Sequence, residues 1–526
     1  MHPIKPGNLF RFAVTTVLLQ CAMAQSHLEA QTYHTDDPII HRIWNMGMES
    51  SQVEALAQVL MDSIGPRLAG SQELVSAQDW LVSLYQSWGV EVRKEAYGTW
   101  DGWRQGYVHV DLISPRVQTL EAELLAWSPG TSGPVEGDVI ALPMIAATGA
   151  ADEWLPQLRD KWILEVPPEQ MCRAPHELEQ NARPQTVDRL EAMRSGALGA
   201  WRRTIQELGG TTRVRELVAS AGALGILSSN WSRGWGVNKV FSAWTRDIPS
   251  FDLSCEDYGL LYRLAAHNQG PRVRIDADAE QLGDVPQLNV IAELTGTELP
   301  NEYVILSAHL DSWHSATGAT DNGTGTIMML EAMRILKEVY PNPRRTIMVG
   351  HWGPEEMGLT GSLAFTEDHA DLLDNIQVVF NQDNGTWAVE RIEGQGLLHA
   401  GEHIGRWISL VPSDISDHIT LEFPGAQNNR GSDHVAFLCH GVPAFRLQSP
   451  YDEYRQYTWH TNRDTYDKIV FDDLKENATL AAMLAYAAAE DPQKVPRARA
   501  ILPTDPRTGQ PREWLRCGPA RRSPGR

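Results

Sequence analysis

The sequence predicts an α/β protein: a mixed, mainly parallel β-sheet sandwiched by helices, with a second, smaller α/β unit inserted into it. Two observations carry that prediction. From residue 287 onward, apolar runs of strand length (NVIAEL at 289–294, VILSA at 304–308, TIMVG at 346–350, IQVVF at 376–380, VPAFRL at 442–447) form a series interrupted by a strongly helical segment at 324–340. Uniformly apolar strands joined through helices are what a sheet buried on both faces requires, and right-handed crossovers follow. Before that series, short strands surround one Ala- and Gly-rich helix at 217–229, which predicts an inserted unit with its own core. A chain of 526 residues is also longer than a single hydrophobic core usually organises.

The elements follow in order. MHPIKPGNLFR carries Lys5 and Arg11, FAVTTVLL is apolar, and Ala22-Met23-Ala24 places small residues before Gln25. This pattern predicts a cleaved secretory signal peptide at 1–24, hence a secreted or periplasmic protein. The apolar run is too short to span about 30 Å of hydrocarbon. Cys21 raises lipidation as an alternative, against which stands the bulky Gln20 before it. Residues 36–92 have helical periodicity, broken by the loop GPRLAGS at 65–71. Strand-like runs follow at 108–113 and 120–127, then GDVIAL, KWILEV, a charged stretch at 168–215 expected to add helices or a long excursion, and IPSFDLS at 248–254. Trp201, Trp231, Trp235 and Trp244 lie in this part and are candidates to line a cleft.

In the segment 324–340, Met328, Ala332, Ile335 and Val339 recur at helical spacing, and NATLAAMLAYAAAE at 477–490 closes the sheet unit. The expected division is therefore a main unit at 25–115 and 284–490, an insert at 116–283, and a Pro- and Arg-rich tail at 491–526 that is extended or disordered. Cys172, Cys255, Cys439 and Cys517 show no CxxC spacing, which argues against thiolate zinc. Export permits disulfides among them without specifying the pairs. A net charge of −22 disfavours nucleic acid and anionic membrane surfaces as partners, and no later segment has the length and apolarity of a membrane span.

In an open α/β sheet, ligands bind beyond the carboxyl ends of the strands. There His309 and Asp311 follow VILSA, Asp321 precedes the central helix, Glu355 and Glu356 follow TIMVGHWGP, and Asp383 follows IQVVFNQ. Each alone has an ordinary explanation: a core histidine paired with an aspartate, a solvated glutamate pair, Asp-Asn-Gly turns. Their recurrence at one edge predicts a metal site, because so dense a set of carboxylates needs a counter-charge. Histidine with carboxylates and no thiolate suits zinc, with cobalt or manganese as substitutes, whereas an all-oxygen calcium or magnesium shell leaves His309 unexplained.

The motifs AHLDSW, DNG, EEMGLTGS, QDNGT, GSDHVAF, GVPAF and WHTNRDT, together with GPRLAGS, resemble the zinc-dependent exopeptidase family of bacterial leucyl aminopeptidases and plasma glutamate carboxypeptidase (carboxypeptidase Q). The resemblance runs from about residue 36 to 491. It implies the zinc exopeptidase fold with an inserted protease-associated domain. It also implies two Zn2+ ions, one held by His309 and Asp383, the other by Glu356 and His460, with Asp321 bridging. Asp311 would orient His309, and Glu355 would act as general base on a metal-bridging water. His460 enters through the resemblance alone. Arg430, Ser432, Asp433 and His434 lie in the family's SDH region, where they are expected either to line the substrate pocket or to form a loop-capping cluster. The tyrosine that often precedes the last histidine is here Trp459, whose indole lacks a hydroxyl, leaving Tyr457 as a substitute donor.

The expected function is a secreted aminopeptidase or dipeptidase acting on short peptides, in a family where homodimers are common. The alternatives are a glutaminyl-cyclase-like single-zinc transferase and a non-catalytic peptide-binding or receptor-like ectodomain.

Overall fold

The computed structural model describes residues 35–142, 151–243, 245–427 and 431–524. The segment expected to be a signal peptide, with Cys21, and the residues Trp244 and Arg430 lie outside them. Among the described residues no helix is long and apolar enough to cross a membrane.

In chain order the elements that position the site are α1 (Gln72–Ser87), β1 (Glu91–Ser114), β2 (Ala122–Leu124), β3 (Val135–Ala141), β4 (Lys161–Leu164), α2 (Pro184–Glu207), β5 (Gly225–Ser228), β6 (Ser250–Leu253), β7 (Arg272–Leu294), β8 (Leu299–His309), α3 (Thr324–Val339), β9 (Arg345–Trp352), β10 (Ile376–Asn381), β11 (Ala444–Arg446) and α5 (Phe471–Glu490), with the short α4 (His434–Leu438) before β11. The strands β11, β10, β8 and β9 are mutually parallel, and β9 pairs antiparallel with β7. This is the mixed, mainly parallel sheet between helices that the apolar strand series predicts. Strand β9 is buried along its whole length, and α3 buries all but two of its residues, Lys337 and Glu338. Such an element sits between sheet and outer helix, here α5, rather than on the surface.

Strands β1 and β7 form one long antiparallel ribbon, broken by register shifts. One end of β7 pairs with β9 and the other with β3, so a single twelve-stranded sheet runs through both parts of the molecule. Residue 284, the expected start of the returning main unit, lies inside β7. Beyond the ribbon, β3, β4, β5 and β6 are parallel neighbours, with β2 antiparallel at the far edge. This part has hydrophobic clusters of its own, around Trp162 and Phe251 on one side of the sheet and Leu158 and Ile163 on the other. The charged stretch resolves into helices, chiefly α2, and Cys172 is disulfide-bonded to Cys255 at the start of the helix that follows β6.

The tail differs from its expectation of possible disorder. It is extended but fastened along the main unit: Cys517 is bonded to Cys439, the Thr99 amide donates to the Arg522 carbonyl at 2.9 Å, Arg522 pairs with Asp368, and Arg521 lies over Trp100. Covalent closure and these pairings outweigh the chain entropy that its composition would favour.

Candidate metal centre

His309 ends β8, where the parallel register sets it beside Trp352 of β9. Its Nδ1 lies 3.2 Å from Asp311 Oδ1, and its Nε2 lies 3.2 Å from Asp383 Oδ1 and 3.7 Å from Asp321 Oδ1. Asp311 also accepts the amide N–H groups of Glu355 at 2.9 Å and Glu356 at 3.2 Å, so one buried carboxylate ties the strand β8 end to the loop after β9. Asp321 is set by Asp464, whose two oxygens accept the Thr320 and Asp321 amides at 2.8 and 2.9 Å. Arg446, at the end of β11, donates to the Asp383 carbonyl at 2.7 Å.

The second half of the site comes from loops. His460 Nε2 lies 2.8 Å from Glu356 Oε2 and 3.2 Å from Asp321 Oδ2, and Trp313 Nε1 donates to Glu356 Oε2 at 2.9 Å. Two groups of donor atoms result, His309 with Asp321 and Asp383, and Asp321 with Glu356 and His460. They share Asp321. A third grouping, Cys439, His440 and Cys517, is occupied by the disulfide.

The charge balance is severe. Burial raises the carboxyls of Asp321, Glu355 and Glu356 well above the usual range, and neighbouring carboxylates add to it. His309 is desolvated too, yet Asp383 and Asp311 hold its pKa well above that of a free imidazole. Burial instead pushes His460 down to about 4, leaving a neutral ring of the kind that binds metal. Asp321 Oδ2 and Glu356 Oε1 are buried without a hydrogen-bond partner, although buried acceptors are nearly always satisfied. Orphaned oxygens beside imidazole nitrogens, with no thiolate, fit a divalent cation of the zinc type.

The loop GPRLAGS has a structural part in this. The Arg67 guanidinium is completely buried and donates to the carbonyls of Leu310, Thr317 and Gly318 at 2.7 to 2.9 Å, fixing the chain between His309 and Asp321. Ser432, Asp433 and His434 are completely buried. The Ser432 hydroxyl accepts from Asn381, and burial pushes Asp433 up to about 7. The aromatic wall also differs from the expected one. Trp201 donates to the Glu165 carbonyl and Trp235 is 65% exposed, whereas Trp313 and Trp459 flank His460 at ring distances of 5.8 and 3.7 Å. Tyr457 is half-buried in the His460 loop.

Tyr454, which motif reading did not single out, is buried in the same segment, and burial, then Asp321 and Asp383, raise its pKa. The only local signal was the tyrosine-rich run YDEYRQY at 451–457.

Residues 289–485 match the family model described as Peptidase family M28. The chain is 24% identical to human carboxypeptidase Q over 85% of its own length and 87% of that protein. Among solved structures it resembles a peptidase M28 precursor from Shewanella amazonensis (TM-score 0.63, 23% identity, 87% of this chain and 97% of that one). It also resembles a zinc aminopeptidase from Bacillus subtilis (TM-score 0.53, 18% identity, 84% and 96%).

Proposed function

We propose, on the match of residues 289–485 to Peptidase family M28, that the chain is an exported exopeptidase of short peptides that works with two zinc ions. The observation that carries this reading is the pair of donor groups sharing Asp321. His309 and Asp383 would hold one ion and Glu356 and His460 the other, with Asp321 contributing to both. When bound, such ions polarise a scissile carbonyl and make water a nucleophile near neutral pH.

The remaining steps belong to the chain's own groups. Glu355 accepts the proton of the attacking water and returns it to the departing amine; its raised pKa brings it toward the operating range of a general base. Asp311 orients the His309 ring and anchors the Glu355 and Glu356 backbone. Lys239 and Arg455 both lie over the Trp459 ring, and neither forms an ion pair among the described residues, which favours substrates presenting a free carboxylate beside the centre. Export is supported by the pairs Cys172–Cys255 and Cys439–Cys517, since disulfides persist in oxidising compartments, and by residues 1–24.

The test is elemental analysis of the purified chain together with product identification from unblocked, amino-blocked and carboxyl-amidated di- and tripeptides. Two zinc ions per chain and cleavage that amidation suppresses are expected. One tight zinc favours the cyclase-like alternative, and two bound ions with no cleavage of any peptide favour a binding protein.

A further inference from the structure

His460 has a peculiarity that His309 lacks. Its backbone lies in the left-handed region at φ 58°, a conformation that costs a non-glycine residue about 1–3 kcal/mol and persists only where neighbours impose it. Its Nδ1 is buried with no hydrogen-bond partner, so no carboxylate or carbonyl fixes the ring as Asp311 fixes His309.

The neighbours that impose this geometry come from the inserted part. Between β5 and β6 the chain sends out an arm that lies along the loop carrying His460. The Val240 amide donates to the His460 carbonyl at 2.9 Å, and Lys239 and Thr461 form an antiparallel bridge. Asn462 clasps the arm twice with its side chain, accepting the Asn238 amide at 3.0 Å and donating to the Gly236 carbonyl at 3.1 Å. Its own amide donates to the Asn238 carbonyl at 3.0 Å. Ser232 Oγ donates to the Gln456 carbonyl at 2.6 Å. The arm is in turn rooted in the insert, because the Asn238 side-chain amide donates to Asp252 Oδ1 and the Leu253 carbonyl of β6.

Phe241, on the same arm, meets the His460 ring edge-on at 5.3 Å and the Trp313 ring at 5.4 Å. Trp313 is the residue that donates to Glu356. One aromatic side chain of the insert thus packs against a ligand of the second donor group and against the indole that holds the other.

We propose that Asn238, with the arm it roots, is a positioning residue for the Glu356 and His460 half of the centre, so that affinity for the second ion depends on the insert while affinity for the first does not. The proposal rests on the two-ion reading above. It makes the insert part of the metal centre itself, in addition to any wall it forms around substrate.

The experiment measures zinc per chain by elemental analysis, and titrates Co2+ into the metal-free protein by visible absorption, for the wild type, Asn238→Ala, His460→Ala and the double variant. The expected result is that Asn238→Ala binds the first ion as the wild type does and the second about 10- to 100-fold more weakly, the range seen when groups that orient a ligand are removed. In the His460→Ala background, adding Asn238→Ala should weaken metal binding no further. If Asn238→Ala does not fold, Asn462→Ser, which cuts the clasp from the opposite side, carries the same expectation. Two ions held by Asn238→Ala with wild-type affinity, or equal weakening of both, overturns the role of the arm alone. A wild-type chain that holds a single ion overturns the two-ion reading and the arm with it.

Discussion

The two histidines of the centre are held by opposite means. His309 stands at the end of a buried parallel strand, with Asp311 at one ring nitrogen and Asp383 and Asp321 at the other, so sheet register and hydrogen bonds define it without reference to the insert. His460 sits on a loop in a left-handed conformation, with one ring nitrogen unpaired, between Trp459 and Phe241. The difference shows that one metal centre can draw its first half from the rigidity of a core and its second from contact between two parts of a chain. The second half is therefore the softer one.

The largest expected effect lies at Glu355, which belongs to neither donor group. Glu355→Gln should lower kcat for peptide cleavage by about 10²- to 10⁴-fold, the usual contribution of a general base. Zinc content and thermal stability should stay as in the wild type; near-normal turnover would remove Glu355 from the reaction. On the strand side, Asp311→Ala should weaken the first ion about 10- to 100-fold. It should also loosen the second, because the Glu356 amide loses its acceptor, whereas the variants of the arm spare the first ion. Stepwise Co2+ titration of the two kinds of variant compares these patterns, and an Asp311→Ala protein that weakens only the second ion would reverse the contrast.

The smallest effect concerns the root of the arm. Burial pushes Asp252 up to about 7 in the folded chain, against 3.8 when exposed. The folded state then keeps a proton that the unfolded chain releases, so stability should be full below about pH 4, fall as pH rises toward 7, and level off above it. The slope is at most ~1.4 kcal/mol per pH unit for one group. Chemical denaturation of Asp252→Asn across this range should show a flatter profile than the wild type; parallel profiles would mean that Asp252 titrates normally.

Much of the first half was legible in the sequence. VILSA-HLD, GHWGPEE and FNQDNG each join an apolar strand to its acidic loop within a few residues, and a parallel sheet brings such strand ends to one edge. GPRLAGS offered no comparable sign, because the acceptors of Arg67 lie in a loop more than 240 residues away. The arm was hidden for the same reason, and the resemblance that pointed to Ser432, Asp433 and His434 does not report their burial.

By itself the sequence determined the alternation of strand and helix, the acidic and histidine residues at the strand ends, and hence the chemical character of the site, since these follow from periodicity and from neighbours in the chain. Tertiary structure alone decided that the cysteines pair as they do and that an arm of the insert meets His460, and it set Asp321, expected there only by resemblance, between two donor groups. Those facts depend on chain segments distant in sequence whose meeting is set by how the sheet closes and the cores pack, which no local pattern encodes.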